Sequence, residues 1–123
     1  MNSDHLENQA LAILDFLNGC PFEQCAPITR DFTNLTANAS LYAIRHRKLG
    51  LLYLGKTRYT RERFRGGHKA FLWSWLDYYN SDDVRILIYP LDALQLQMLS
   101  SQLEAIVIAS ANPPYNVRYP ARN

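Results

Sequence analysis

Three strand-like and four helix-like segments, in the order helix, strand, strand, helix, helix, strand, helix, predict an α+β domain. Two observations weigh most. The stretch SLYAIRHRKLGLLYLGKT at 40–57 sets two apolar runs around a basic turn, with Gly50 near the connection, which is the pattern of a β-hairpin. The segments before and after VRILIYPL carry apolar residues at i, i+3, i+4 spacing, which is the pattern of helices packed by one face. A chain of 123 residues suffices for one hydrophobic core and needs no covalent staples.

The opening stretch SDHLENQALAILDFLNG reads as a helix, with Ser3 or Asp4 as cap, Leu6, Ala10, Ile13, Leu14 and Leu17 on one face, and Gly19 at its end. From Cys20 to Asn38 the Pro-, Thr- and Asn-rich sequence has no period and reads as a loop. Residues 1–39 are therefore an extension, a helix and a loop, ahead of a main domain at 40–123. In the hairpin, strands from Leu41 to about His46 and from Leu51 to about Lys56 set Tyr42 and Tyr53 on one side of the sheet for an even-length loop, and on opposite sides for an odd one. Tyr59 to Arg65 reads as a short basic helix closed by Gly66 and Gly67, followed by an amphipathic helix marked by Phe71, Leu72, Trp75, Leu76 and Tyr79. VRILIYPL lacks clean alternation, as expected of a strand covered on both faces. Asp92 caps a long helix with Leu96, Leu99, Leu103 and Ile106 as its buried stripe, stopped by the prolines at 113 and 114.

Charge is unevenly distributed. The net of +2 conceals a segment from Arg45 to Lys69 that holds nine of the 13 basic residues and a single acid, Glu62. Such a concentration suits a polyanion, and it equally suits a solvated hairpin and helix face. No apolar stretch is long enough to span a bilayer and no secretory leader opens the chain, so a reducing cytoplasm and no membrane are expected. Cys20 and Cys25 make no disulfide framework, and no second Cys or His pair stands at zinc spacing, so both are read as reduced and incidental.

A few residues invite chemistry. Glu104 lies in QLEAIVIASA, where a lone carboxylate is costly to bury, so it is expected either to turn to solvent or to have a partner. Arg63, on the short helix, is close enough in chain to reach the tyrosine face of the hairpin. Lys56, after Gly55, and His68, after the paired glycines, can reach the same neighbourhood. Asn116 follows two prolines in NPPYN, so its amide is held as a positioned donor or acceptor, or else forms a polar turn.

In order and spacing these residues resemble the GIY-YIG nuclease superfamily, over residues 40–117. SLY at 40–42 stands for the first tripeptide and YLG at 53–55 for the second, with tyrosines eleven residues apart; GKT continues as in many members. Arg63 falls ten residues after Tyr53, and LEAIVIASANPPYNV is similar to the family's stretch from its metal-binding glutamate to its asparagine, at Glu104 and Asn116. Ser40 replaces a glycine, which is expected to alter the strand locally, while Leu41 and Leu54 replace isoleucines conservatively.

The resemblance implies a small three-stranded, mainly antiparallel sheet flanked by helices, with the N-terminal helix as an addition. It implies a metal-dependent endonuclease acting on duplex or branched DNA. Glu104 would bind one Mg²⁺ or Mn²⁺ and Arg63 would hold the scissile phosphate. Tyr42 or Tyr53 would be the general base, its phenolate favoured by nearby cations, with the other orienting water or phosphate. Lys56, His68 and Asn116 complete the expected catalytic set. Arg45, Arg47, Lys48, Arg58, Arg61, Arg65 and Lys69 would neutralise flanking phosphates. Selectivity would come from a partner subunit, a homodimer or DNA shape. The rival expectations are a catalytically weak or inactive nucleic-acid-binding module of the same fold, and a protein-interaction subunit.

Overall fold

The computed structural model describes residues 3–27, 32, 34–36, 38–65, 80–114 and 116. Helix α1 (Ser3–Gly19) leads to a short 3-10 turn (Phe22–Gln24) and strand β1 (Ala26–Pro27); β2 (Ser40–His46) and β3 (Gly50–Thr57) form the hairpin; α2 (Thr60–Arg65), β4 (Val84–Pro90) and α3 (Ala93–Ala111) follow. The sheet is antiparallel in the order β1-β4-β2-β3. The α+β class stands, but the sheet has four strands rather than three. Two residues in what reads as a loop, Ala26 and Pro27, pair with Ile86 and Arg85 and cover the far side of β4. A two-residue strand has no alternation to be read from sequence. The expected amphipathic helix at 71–79, the paired glycines, His68 and Lys69 lie outside the described residues, as do the side chains of Leu6, Leu96, Leu99 and Leu103.

Each face of the sheet carries its own core. Leu41 and Ala43 of β2, Leu54 of β3 and Leu87 of β4 pack with Ala10, Ile13 and Leu17 of α1 and Val107 of α3. α1 is therefore integral to the packing. On the other face Tyr42, Ile44, Leu52, Tyr53, Val84 and Ile86 meet Phe64 of α2 and Phe32 and Leu35 of the preceding loop. Covered on both sides and paired on both edges, β2 is buried along its whole length.

The hairpin places its tyrosines by an indirect route. His46 pairs with Gly50, so the loop has three residues, Arg47, Lys48 and Leu49. An odd loop by itself would send Tyr42 and Tyr53 to opposite faces. A bulge between Ile44 and Arg45 leaves Leu52 as an extra residue and restores the parity: Tyr42 pairs with Gly55 and Ile44 with Tyr53, so both phenols share a face. Gly50 takes φ +78°, a left-handed conformation natural to glycine, and the His46 ring accepts hydrogen bonds from the Lys48 and Leu49 amides at 3.1 and 3.2 Å.

Ser40, where the resembled motif has glycine, sits in regular strand and is fully buried. Its hydroxyl lies 2.6 Å from that of Thr60, the first residue of α2. Thr60 gives its own proton to the Asn38 carbonyl, which can only accept, so Ser40 is the donor to Thr60. The Asn38 carbonyl also accepts the Thr60 amide at 3.2 Å, and the Arg61 guanidinium grips the Leu35 carbonyl at 2.8 and 3.0 Å. These bonds fix the start of α2 against the end of the sheet. At the other helix, Asp92 accepts from the Gln95 amide at 2.7 Å while Gln95 reaches back to the Asp92 amide at 3.1 Å, a reciprocal cap. Asn112, with φ 50°, closes α3 in a left-handed turn just before Pro113 and Pro114. Among the described residues no helix is long and apolar enough to cross a membrane.

Ser40→Ala is expected to lower the unfolding free energy by about 1 kcal/mol, the net value of one neutral hydrogen bond. Thr60→Val, which strands the buried Ser40 hydroxyl, should cost more, up to about 3 kcal/mol. Urea titrations followed by circular dichroism check the order, and equal midpoints for wild type and Thr60→Val would refute the hydroxyl pair.

Candidate active site

Five of the residues singled out in the sequence come together at the β3 edge of the sheet. Tyr42 and Tyr53 lie with ring centroids 6.2 Å apart, and Tyr42 and Phe64 pack edge to face with centroids 4.9 Å apart. Arg63, the residue before Phe64, donates a hydrogen bond to the Tyr42 hydroxyl and acts electrostatically on Tyr53 as well. Glu104 faces both phenols from α3, and its carboxylate accepts the Lys56 backbone amide and feels the Lys56 ammonium. Tyr42, Gly55, Glu104 and Val107 share a recess about the size of one water molecule. Of the two expectations for Glu104, the partnered one holds: the cost of its burial is reduced, though not cancelled, by a backbone N–H and one cation.

Gly55 makes the cluster possible. A Cβ there would meet the Tyr42 hydroxyl at 2.5 Å, its Cζ at 2.7 Å and a Tyr53 ring carbon at 3.0 Å. The Tyr42 phenol thus lies across the backbone of its own cross-strand partner, where any larger residue would hold it off.

The outer edge of β3 is sealed by the same region. Asn116 accepts the Leu54 amide through Oδ1 and donates to the Leu54 carbonyl through Nδ2, each at 2.8 Å. Two residues on, the Lys56 amide goes to Glu104. Outward-pointing groups of an edge strand, which would otherwise be open to another chain, are occupied here by side chains from the end of α3 and just beyond it. Of the alternatives for Asn116, a positioned amide therefore holds, and what it positions is the strand between Tyr53 and Gly55.

The electrostatics differ from the expectation that nearby cations favour a phenolate. Burial pushes the Tyr42 hydroxyl far above the ordinary phenol range; Tyr53 and Glu104 push the same way, and the Arg63 charge and hydrogen bond only partly oppose them. Tyr53 is also raised, first by burial and then by Glu104, again against Arg63. Burial likewise holds the Glu104 carboxyl above its usual range, with Lys56 pulling it back through charge and amide. Each of the three acids is held toward its neutral form relative to water, because desolvation outweighs the positive charge nearby.

The basic residues expected to line a polyanion divide. Arg45 is buried, donating to the Cys20 carbonyl and to the Cys25 sulfur, and is an interior group rather than a phosphate contact. Arg61 is committed to Leu35. Arg47 pairs with Asp83 at 3.0 Å and Glu23 at 3.6 Å and lies over the Phe22 ring, and Arg65 pairs with Glu62 at 3.1 Å. Sequence could not foresee most of this, because the acids and carbonyls that hold Arg45, Arg47 and Arg61 come from other parts of the chain; Glu62, three residues before Arg65 on the same helix, is the local exception. Lys48, Lys56 and Arg58 remain exposed. Both cysteines are free thiols, as expected; Cys25 is buried in the core, its thiol raised by burial, with Cys20 in hydrogen-bonding contact. Sequence reasoning gave no role to Ser40, Thr60 and Gly55, which position the cluster; the glycine of the second tripeptide was the available signal.

For a divalent cation the donor set is lean. Among the described residues no three His, Cys, Asp or Glu side chains cluster. Glu104, a hard oxygen donor whose charged form is under-compensated, fits a cation that keeps most of its water shell, as Mg²⁺ does. Comparison of the chain with protein-family models, with curated proteins and with solved structures gives no match.

Gly55→Ala should displace the Tyr42 ring and cost roughly 1–3 kcal/mol in urea unfolding, the usual cost of overpacking; a neutral effect would mean the ring has room to move. A second outcome follows from Glu104. An acid raised in the folded state binds its proton more tightly there than in the unfolded chain. Its contribution to stability is then present at low pH and lost as pH rises through the raised value. Without added metal, Glu104→Gln should match wild type near pH 4 and exceed it at pH 8, and a gap that closes with rising pH would contradict the raised carboxyl.

Proposed function

We propose that the chain is a metal-dependent endonuclease that hydrolyses phosphodiester bonds of DNA. The observation that carries this reading is the meeting of two phenols, a guanidinium, a carboxylate and an ammonium from β2, β3, α2 and α3 at one strand edge. Phosphodiester hydrolysis needs an activated water, donors for the charge that builds on the phosphoryl oxygens, and a route for the proton. The cluster contains groups suited to each task.

Arg63, with a planar fork of donors, is suited to grip the non-bridging phosphate oxygens. Tyr42, more strongly raised than Tyr53 and hydrogen-bonded to Arg63, stays protonated and orients phosphate or water by donating its proton in a hydrogen bond. Tyr53, the less perturbed phenol, is then the better general base. Lys56 sits beside Glu104 as a second source of charge for the substrate. Glu104 would hold the cation. A bound Mg²⁺ or Mn²⁺ would supply Lewis acidity and offset the carboxylate charge that raises both phenols. Among the described residues, Lys48 and Arg58 are the basic residues left to meet flanking phosphates, in a reducing cytoplasm as the two free thiols allow.

One observation favours a second reading, a nucleic-acid-binding module with weak hydrolytic activity: burial holds both phenols protonated.

Glu104→Gln is expected to abolish nicking of supercoiled plasmid in Mg²⁺ with an unchanged circular dichroism spectrum, and Arg63→Ala to slow it by roughly two to three orders of magnitude. Nicking retained by Glu104→Gln would overturn the assignment. DNA retention by wild type without cleavage in Mg²⁺ or Mn²⁺ would favour the binding module.

A further inference from the structure

Beyond Thr57 the sheet ends in an open groove of about 330 Å³, bounded by Asn38 on one side, Arg58 and Tyr59 on another, and Leu91 and Asp92 at the start of α3. None of these residues is in the catalytic cluster, but the groove is continuous with it along the chain. Arg58 follows Lys56 by two residues, and Asn38 precedes Tyr42 by four, on the order of 13 Å at a strand rise of ~3.3 Å.

Tyr59 is the unusual member. It is 61 % exposed, and no described aromatic ring or polar side chain engages its own ring or hydroxyl. Its backbone, by contrast, is held on both sides: the amide donates to Thr57 Oγ1 at 3.2 Å and the carbonyl accepts the Arg63 amide at 2.9 Å. The next residue is Thr60, locked to Ser40 and Asn38. An aromatic face is thus presented from a fixed frame beside a groove of a size to take a planar ring. Leu91 gives the groove an apolar floor.

Charge sets the direction of an occupant. Arg58 is exposed and without an ion pair among the described residues, whereas Asp92 adds a carboxylate to the lining, one oxygen accepting the Gln95 amide. A phosphate is attracted to the first and repelled by the second. The remaining acceptor capacity of Asp92 and the exposed Asn38 amide suit the polar edge of a base.

We propose that this groove is a nucleobase subsite, in which Tyr59 stacks an unpaired base of the DNA strand and Arg58 holds its phosphate. The proposal rests on the nuclease reading and refines it to a substrate class: DNA with an unpaired nucleotide next to the cleaved position, such as a fork, flap or single-stranded end. A base within a duplex is already stacked on both faces and offers none to Tyr59, whereas an unpaired base does.

The test uses the full chain in EDTA, with fluorescence anisotropy on three labelled DNAs: a blunt duplex, a forked duplex and a single strand. Tyr59→Ala should weaken binding to the fork and the single strand about 5- to 150-fold, the range for loss of one stacked base, and leave the blunt duplex within about twofold. Tyr59→Trp should restore affinity. Arg58→Ala should weaken the fork and lower its salt slope by about one. Equal binding of wild type and Tyr59→Ala to the fork, with Mg²⁺-dependent nicking intact, would overturn the subsite and leave the nuclease reading standing. Failure of wild type to bind or cleave any of the three would overturn both.

Discussion

The contact between Tyr42 and Gly55 is the constraint on which the rest of the site depends. Because the two residues are cross-strand partners, the phenol can reach the edge of the sheet only by lying over the glycine backbone. There it meets Arg63 from one side of the sheet and Glu104 from the other. With a side chain at 55, the phenol would be held off and the groups on the two faces would be separated by the strand itself. The bulge at Leu52 is the companion condition, since it brings Tyr53 to the face of Tyr42 despite a three-residue loop.

Around that contact each element has a positioning task that is also a packing task. α2 is pinned by the Ser40–Thr60 hydroxyl pair and by Arg61, and carries Arg63 to the phenols while Phe64 packs beneath them. α3 crosses the opposite face, held by its reciprocal cap and by Val107 in the core, and brings Glu104 to the Lys56 amide. Asn116 finishes the edge. Stability and arrangement of the site are therefore not separable here: the bonds that satisfy the exposed edge of β3 are the bonds that set the carboxylate in place.

The site's electrostatics follow from the same compactness. Three acids share a poorly solvated space with Arg63, while Lys56 reaches Glu104 from the exposed side, and desolvation outweighs the cations at every acid. Much of the positive charge that looked available is spent elsewhere. Arg45 is interior, Arg47 and Arg65 are paired with acids, and Arg61 caps a loop carbonyl. Among the described residues of the basic segment, Lys48, Lys56 and Arg58 remain exposed, and two of them, Lys56 beside the carboxylate and Arg58 on the open groove, are two residues apart in the chain.

Local chemistry made much of this legible in the chain. The hairpin, the cap at Asp92, the stop before Pro113 and the basic helix carrying Arg63 are set by short-range patterns, and they appear where those patterns put them. The family resemblance carried by Tyr42, Tyr53, Arg63 and Glu104 also implied a shared neighbourhood. What sequence could not decide was everything that depends on groups distant in the chain. Loop parity was overridden by a bulge, a two-residue strand appeared only because β4 had an open edge to pair, and Arg45, Arg47 and Arg61 were engaged by acids and carbonyls brought in from the end of α1, the 3-10 turn after it, the loop before β2 and Asp83 just before β4. Whether a phenol ionises depends on how much water is removed around it. That is a property of the folded interior, so the identity of the residues was written in the sequence and their protonation was set by tertiary structure alone.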